Sequence, residues 1–264
     1  MKKQSLINIC LAVFVLSVFS LKSLSAAPAK LQHFEIKVYH ISGQAQEKMV
    51  DAYLKDVYLP ALHRAGISKV GVFKPVETDT AFGKRIYVFI PFKTADQYLQ
   101  LPEALLKDKT YTEAGKAFCK ADYNNPPYKR LESILLKAFT HMPAFTAPKH
   151  TTPVAERIYE LRSYESPTEA LAVKKIEMFD TAGEMQLFID LNFNPVFFGE
   201  VLAGNQMPNL MYLTTFSDMK SHDDRWNAFR DSPVWKKLSG LEVYKNTVSK
   251  AHVMLTHPAD YSDF

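Results

Sequence analysis

From His33 to Tyr39 the chain alternates. Phe34, Ile36 and Val38 are apolar, and Glu35, Lys37 and Tyr39 stand between them. The alternation returns at Ile158 to Tyr164. There Glu160, Arg162 and Tyr164 align with Glu35, Lys37 and Tyr39 without a gap, Tyr159 and Leu161 take the apolar places, and Ser163 is the polar exception. Alternate residues of a strand share a face, so each stretch predicts a strand carrying an acid, a base and a tyrosine on one side.

The segments after these two strands repeat as well. Met49, Val50, Tyr53, Leu54, Val57, Tyr58, Ala61 and Leu62 recur at helical spacing and predict a helix over 44–64, with a kink at Pro60 and an end at Gly66. Strands are expected at 70–76 and 85–92, with a turn over 78–83. Thr94-Ala95-Asp96-Gln97 then reads as a capping box. Helical sequence runs on to about 121 with a break near Asp108, and a strand over 129–140 completes β-α-β-β-α-β. The second round runs parallel. Ser166-Pro167-Thr168-Glu169 signals a helix start, and the helix is interrupted near Gly183. Strands come next at 195–202 and 210–216 with a turn over 204–209, then a helix carrying Trp226, Phe229 and Trp235, and a last strand at 247–256. The expected fold is α+β: two tandem ferredoxin-like repeats packed sheet to sheet into a barrel with the helices outside. The divisions are 1–27 as a signal peptide, 30–142 as the first repeat, 143–153 as a proline-rich linker and 154–264 as the second repeat.

Asn194-Pro195-Val196-Phe197-Phe198-Gly199-Glu200 and Met207-Pro208-Asn209-Leu210-Met211-Tyr212, with the Tyr159–Tyr164 strand and the segment from Arg225 to Trp235, resemble the NIPSNAP family. The likeness spans about 157–257. The first half departs from it, with Tyr111 where the repeat places Trp235, Lys37 for Arg162, and no Phe-Phe-Gly-Glu run. The resemblance implies a tandem dimeric α/β-barrel without implying a settled reaction. The family is similar to sensors and interaction proteins, and the wider barrel superfamily includes haem-degrading and cofactor-free monooxygenases.

Composition changes the picture at the N-terminus. Lys2 and Lys3 precede an apolar run from Leu6 to Leu21, followed by Ser23, Ser25, Ala26 and Ala27. This is the pattern of an export signal, too short for a comfortable membrane span. The expected location is periplasmic or secreted, with no stable span after its removal. Removal takes three of 32 basic residues and none of 28 acids, leaving a net charge of +1 in place of +4. A near-neutral surface offers no electrostatic case for nucleic acid. Of Cys10 and Cys119 only the second then remains, so no intrachain disulfide forms.

The chemistry is carried by the polar strand faces. If they point into the barrel together, Glu35, Lys37, Tyr39, Glu160, Arg162 and Tyr164 make a polar pocket where Arg162 grips a carboxylate and Glu160 acts as a base. The other reading is a buried network in which Glu160 and Arg162 satisfy each other. Glu200 stands in an otherwise apolar strand and needs a partner, for which Arg162 or Arg225 is the candidate. His33 and His40 face opposite ways on one strand, as do His252 and His257, so neither pair chelates an ion. No metal or cofactor is therefore expected, with haem on His252 as a minor reading. His222-Asp223-Asp224 reads as a solvated helix start, and Cys119 as a small buried hydrophobe. Two functions stay open. One is an exported barrel protein binding a small ligand or a protein partner, a homodimer included. The other is a cofactor-free monooxygenase or isomerase-like enzyme using the barrel pocket.

Overall fold

A computed structural model describes residues 30–204 and 206–264. The export signal expected at 1–27 lies outside the described residues, as does Asn205 of the expected turn at 204–209.

The first half contains β1 (His33–His40), α1 (Gln44–Tyr53), α2 (Leu59–Arg64), β2 (Gly71–Pro75), β3 (Arg85–Phe92), α3 (Ala95–Lys107), α4 (Lys109–Ala114), α5 (Lys116–Cys119) and β4 (Arg130–Ala138). The second half contains β5 (Ile158–Glu165), α6 (Glu169–Asp180), α7 (Glu184–Asp190), β6 (Phe197–Ala203), β7 (Asn209–Phe216), α8 (Met219–Asp231), α9 (Pro233–Ser239) and β8 (Lys250–Pro258). Local chemistry accounts for the boundaries. Thr94, Asp108, Thr168 and Asp218 each accept a backbone N–H at the start of α3, α4, α6 and α8. The cap of α6 is thus Thr168, two residues beyond the expected Ser166. Gly183, at φ 108°, separates α6 from α7. Ahead of Pro60, where a kink is expected, a π-helical turn runs over Leu54–Tyr58, and its ladder returns the Leu59 N–H to the Leu54 carbonyl. Widening the ladder just ahead of a residue with no N–H lets α1 continue into α2.

The eight strands close into an antiparallel barrel in the order β1-β3-β2-β8-β5-β7-β6-β4 and back to β1. Each half contributes the ferredoxin-like order, and the seams are β2 with β8 and β4 with β6. Gly199 serves the second seam: a Cβ there would lie 3.2 Å from Leu136 Cβ and 3.3 Å from the Lys137 carbonyl oxygen. The stretch at 143–153 is packed rather than loose. The Thr146 N–H bonds the Val196 carbonyl, the Phe145 N–H bonds Gln32 Oε1, and the Phe145 ring stacks on Phe264.

The barrel interior is apolar and shared. Phe34, Ile36 and Val38 from β1 meet Tyr159 and Leu161 from β5, with Phe73, Phe89, Phe197 and Leu213. This corrects one expectation. Glu35, Lys37 and Tyr39, and likewise Glu160, Arg162 and Tyr164, occupy the opposite faces of their strands, so they point away from the interior and beneath the helices of their own halves. They do not meet. Two further cores lie there, one under each helical layer. Among the described residues no helix is long and apolar enough to cross a membrane.

Candidate functional site

In the second half the polar face is closed, and its acid is paired. Glu160 on β5 is only 1% exposed. Its Oε1 accepts from Arg162 Nε and Nη2 at 2.9 and 2.7 Å, and its Oε2 accepts from Trp226 Nε1 on α8 at 2.7 Å. Arg162 Nη1 donates to the Tyr164 hydroxyl, which meets the Tyr212 hydroxyl at 2.9 Å. The guanidinium lies 3.8 Å from the centre of the Trp226 ring. His222, one helical turn before Trp226, is buried against Phe216, and its Nε2 stands 3.6 Å from Glu160 Oε2. That is a charge contact, too long for a hydrogen bond. Burial favours neutral Glu160, but His222 and Arg162 overcome it and hold the carboxyl below its usual range. Burial likewise depresses His222, yet the Glu160 and Asp223 carboxylates prevail and raise it. The expectation of a solvated His222 is therefore corrected. A second buried pair, Lys175 Nζ to Glu184 Oε2 at 2.8 Å, lies under the same helices. Burial outweighs Lys175 there and pushes the Glu184 carboxyl up.

The first half has the same frame with different filling. Glu35 pairs with Ile90 as Glu160 pairs with Thr214. Pro102 stands eight residues beyond the Thr94 cap, as Trp226 stands eight beyond Asp218. Proline thus replaces the indole that would cover the floor, and Tyr98 replaces His222. What the indole fills in one half is a cavity of about 940 Å³ in the other. Its floor is Glu35, Lys37, Tyr39 and Ser133, and its walls carry Tyr53, Tyr58, Tyr98, Tyr111 and Tyr128. Glu35 Oε1 accepts from Ser133 Oγ at 2.6 Å and lies 3.1 Å from Lys37 Nζ. The Tyr53 and Tyr111 hydroxyls bond each other at 2.8 Å. Tyr39 and Tyr58 are buried, and their hydroxyls bond no described residue. Burial first, then neighbouring groups including the Glu35 charge, raise both phenols well above their usual range, so they stay protonated donors at neutral pH.

The other candidates fall elsewhere. Glu200 pairs with Lys137 at 2.7 Å across the β4–β6 seam, half-exposed, and not with Arg162 or Arg225. Arg225 donates to the Ser221 carbonyl. Cys119 is exposed on the cleft wall, 3.9 Å from the Tyr111 hydroxyl, which corrects the buried reading. His252 faces the barrel mouth, bonded to Glu165 at 2.7 Å beside a cavity of about 130 Å³, too small for a haem. Among the described residues, no group of three or more His, Cys, Asp or Glu is placed to hold a metal.

A closed barrel of two ferredoxin-like halves in one chain, with helices outside, defines the class as a tandem dimeric α/β-barrel protein. The NIPSNAP family model matches residues 159–263. The second half of the chain is thus similar to the NIPSNAP family. Solved structures agree on the fold. A candidate monooxygenase from Lactobacillus acidophilus superposes with a TM-score of 0.54 at 12% identity, covering 87% of this chain and 94% of that one. One from Fusobacterium nucleatum gives 0.55 at 7%, covering 87% and 93%. An anthrone oxidase-like protein gives 0.50 at 10%, covering 87% and 92%. Among curated proteins, none matches the sequence.

The second half yields two expected outcomes. Arg162→Ala leaves Glu160 buried beside an empty space and is expected to cost about 3–5 kcal/mol in urea unfolding. Ligand binding in the first half should be unaffected. In pH, His222 is raised on folding, so its contribution is complete below about 6.5 and fades as pH climbs through its folded value. Glu160 is lowered, so its contribution is complete above about 4.5 and is lost as pH falls through its folded value. Melting temperature measured against pH should therefore decline less steeply above pH 6.5 in His222→Phe than in the parent. Parallel curves would place the titration elsewhere.

Proposed function

We propose that the protein binds a small, flat, ring-bearing molecule in the cleft of its first half. One observation carries this: a cavity of about 940 Å³ lined by Tyr39 and Tyr58, whose hydroxyls bond no described residue. Such a volume suits a ligand of drug-like size, and phenols that line it can donate to one. Tyrosine walls offer ring faces for stacking, and Glu35 with Lys37 offers an acceptor and a cation at the floor. The ligand that fits these groups is aromatic or quinonoid, with hydroxyl or carbonyl substituents. The basic start and apolar run of the sequence support export of this binding protein to a periplasmic or extracellular setting.

A second reading, a cofactor-free oxygenase or isomerase, is favoured by the buried Glu35 carboxylate beside the two phenols. It stands where a base would take a proton from a ring hydroxyl or an activated carbon. The candidate monooxygenases of the same fold fit this reading, though their likeness to the chain is one of fold alone.

The test is to restore the packing of the second half. In Pro102→Trp an indole enters the cleft, and the helix regains a backbone N–H. Calorimetric titration with methyl 4-hydroxybenzoate should show binding to the parent and at least a tenfold loss in the variant, with the melting temperature kept or raised. Equal binding by both proteins, or binding by neither, overturns the cleft as the site.

A further inference from the structure

Beyond the cleft wall lies an apolar groove of about 700 Å³, formed by Met49, Ala52 and Val57 on one side and Ala114, Ala117 and Ala121 on the other. Its polar lining residues, Asp56, Asp122, Asn124 and Asn125, are all exposed. Small apolar side chains dominate the two walls, which suits an alkyl chain.

The groove adjoins the cleft. Tyr53, Phe118, Ala121, Asp122 and Pro127 line both. Two of these shared residues stack: the Tyr53 and Phe118 rings lie 3.9 Å apart with planes 2° from parallel. Tyr53 is tied by its hydroxyl to Tyr111, whereas Phe118 sits on the single turn of α5 and is held by ring contacts with Tyr39, Tyr53 and Tyr128.

We propose that the ligand is an amphiphile: a phenolic or quinonoid head in the cleft, and an alkyl tail that passes Phe118 into the groove. This rests on the cleft being the binding site. The tail adds affinity by leaving water, and the head supplies orientation through the buried phenols and Glu35.

The experiment is a titration of the whole chain with esters of 4-hydroxybenzoic acid, from methyl through butyl to octyl. Kd should fall about three- to fourfold per added methylene over several carbons, the gain expected for burying each one. Ala117→Trp blocks the groove at an exposed position. It should abolish that gain and leave the methyl ester's Kd unchanged, and Ala52→Trp, also exposed, should do the same from the opposite wall. A Kd independent of chain length, with the methyl ester bound, overturns the tail site and leaves the cleft standing. A gain that persists in both variants overturns it too, by placing the tail elsewhere. Failure of every ester to bind overturns the cleft and the groove together.

Discussion

Closing eight strands into one barrel assigns a single face of every strand to a shared interior. Residues alternate with a period of two, so the choice for one residue fixes it for the whole strand. The interior accepts the ring cluster of Phe34, Phe89 and Phe197, with centroids 4.9 to 5.4 Å apart, and so excludes Glu35 and Glu160. Both polar faces are thereby driven under helices. Each half must then satisfy a buried acid on its own.

The halves reach different solutions on one frame. The second fills its space with Trp226, which donates to Glu160, stacks on Arg162 and packs against Phe188 and Phe193. The result is a buried, hydrogen-bonded network around Glu160 whose disruption is costly. The first places Pro102 where the indole would be and lines the vacated space with tyrosines. Hydroxyls that would be misplaced in a sealed core line an open cleft there. The half that matches the family model is thus the one with the closed polar face. The candidate site lies in the other.

Much of the frame is legible in the sequence. The gapless match of Glu35, Lys37 and Tyr39 to Glu160, Arg162 and Tyr164 reveals two copies, and helix-start and glycine signals locate most elements. Alternation says which residues share a face, however, and not which layer that face meets. Here both faces of β1 and β5 are buried, so polarity alone points the wrong way. Beside Asp223 and Asp224, His222 reads as solvated although it is buried. Its spacing of four from Trp226 is the available signal, placing it on the inward stripe. Tyr53 and Tyr58 read correctly as an inward helical stripe, but their role depends on what is missing at Pro102, a contact made across the fold. Cys119 follows an apolar residue on a one-turn helix, too short for periodicity to assign a face.

The central claim, that ligand enters the first half while the second remains closed, is tested most directly by fluorine NMR of the protein labelled with 3-fluorotyrosine. Resonances assigned by single Tyr→Phe changes would be followed during titration with methyl 4-hydroxybenzoate. The account predicts shifts at Tyr39, Tyr58, Tyr98 and Tyr128, with Tyr159, Tyr164 and Tyr212 unmoved. Shifts centred on Tyr164 and Tyr212, with the first-half tyrosines silent, would contradict it.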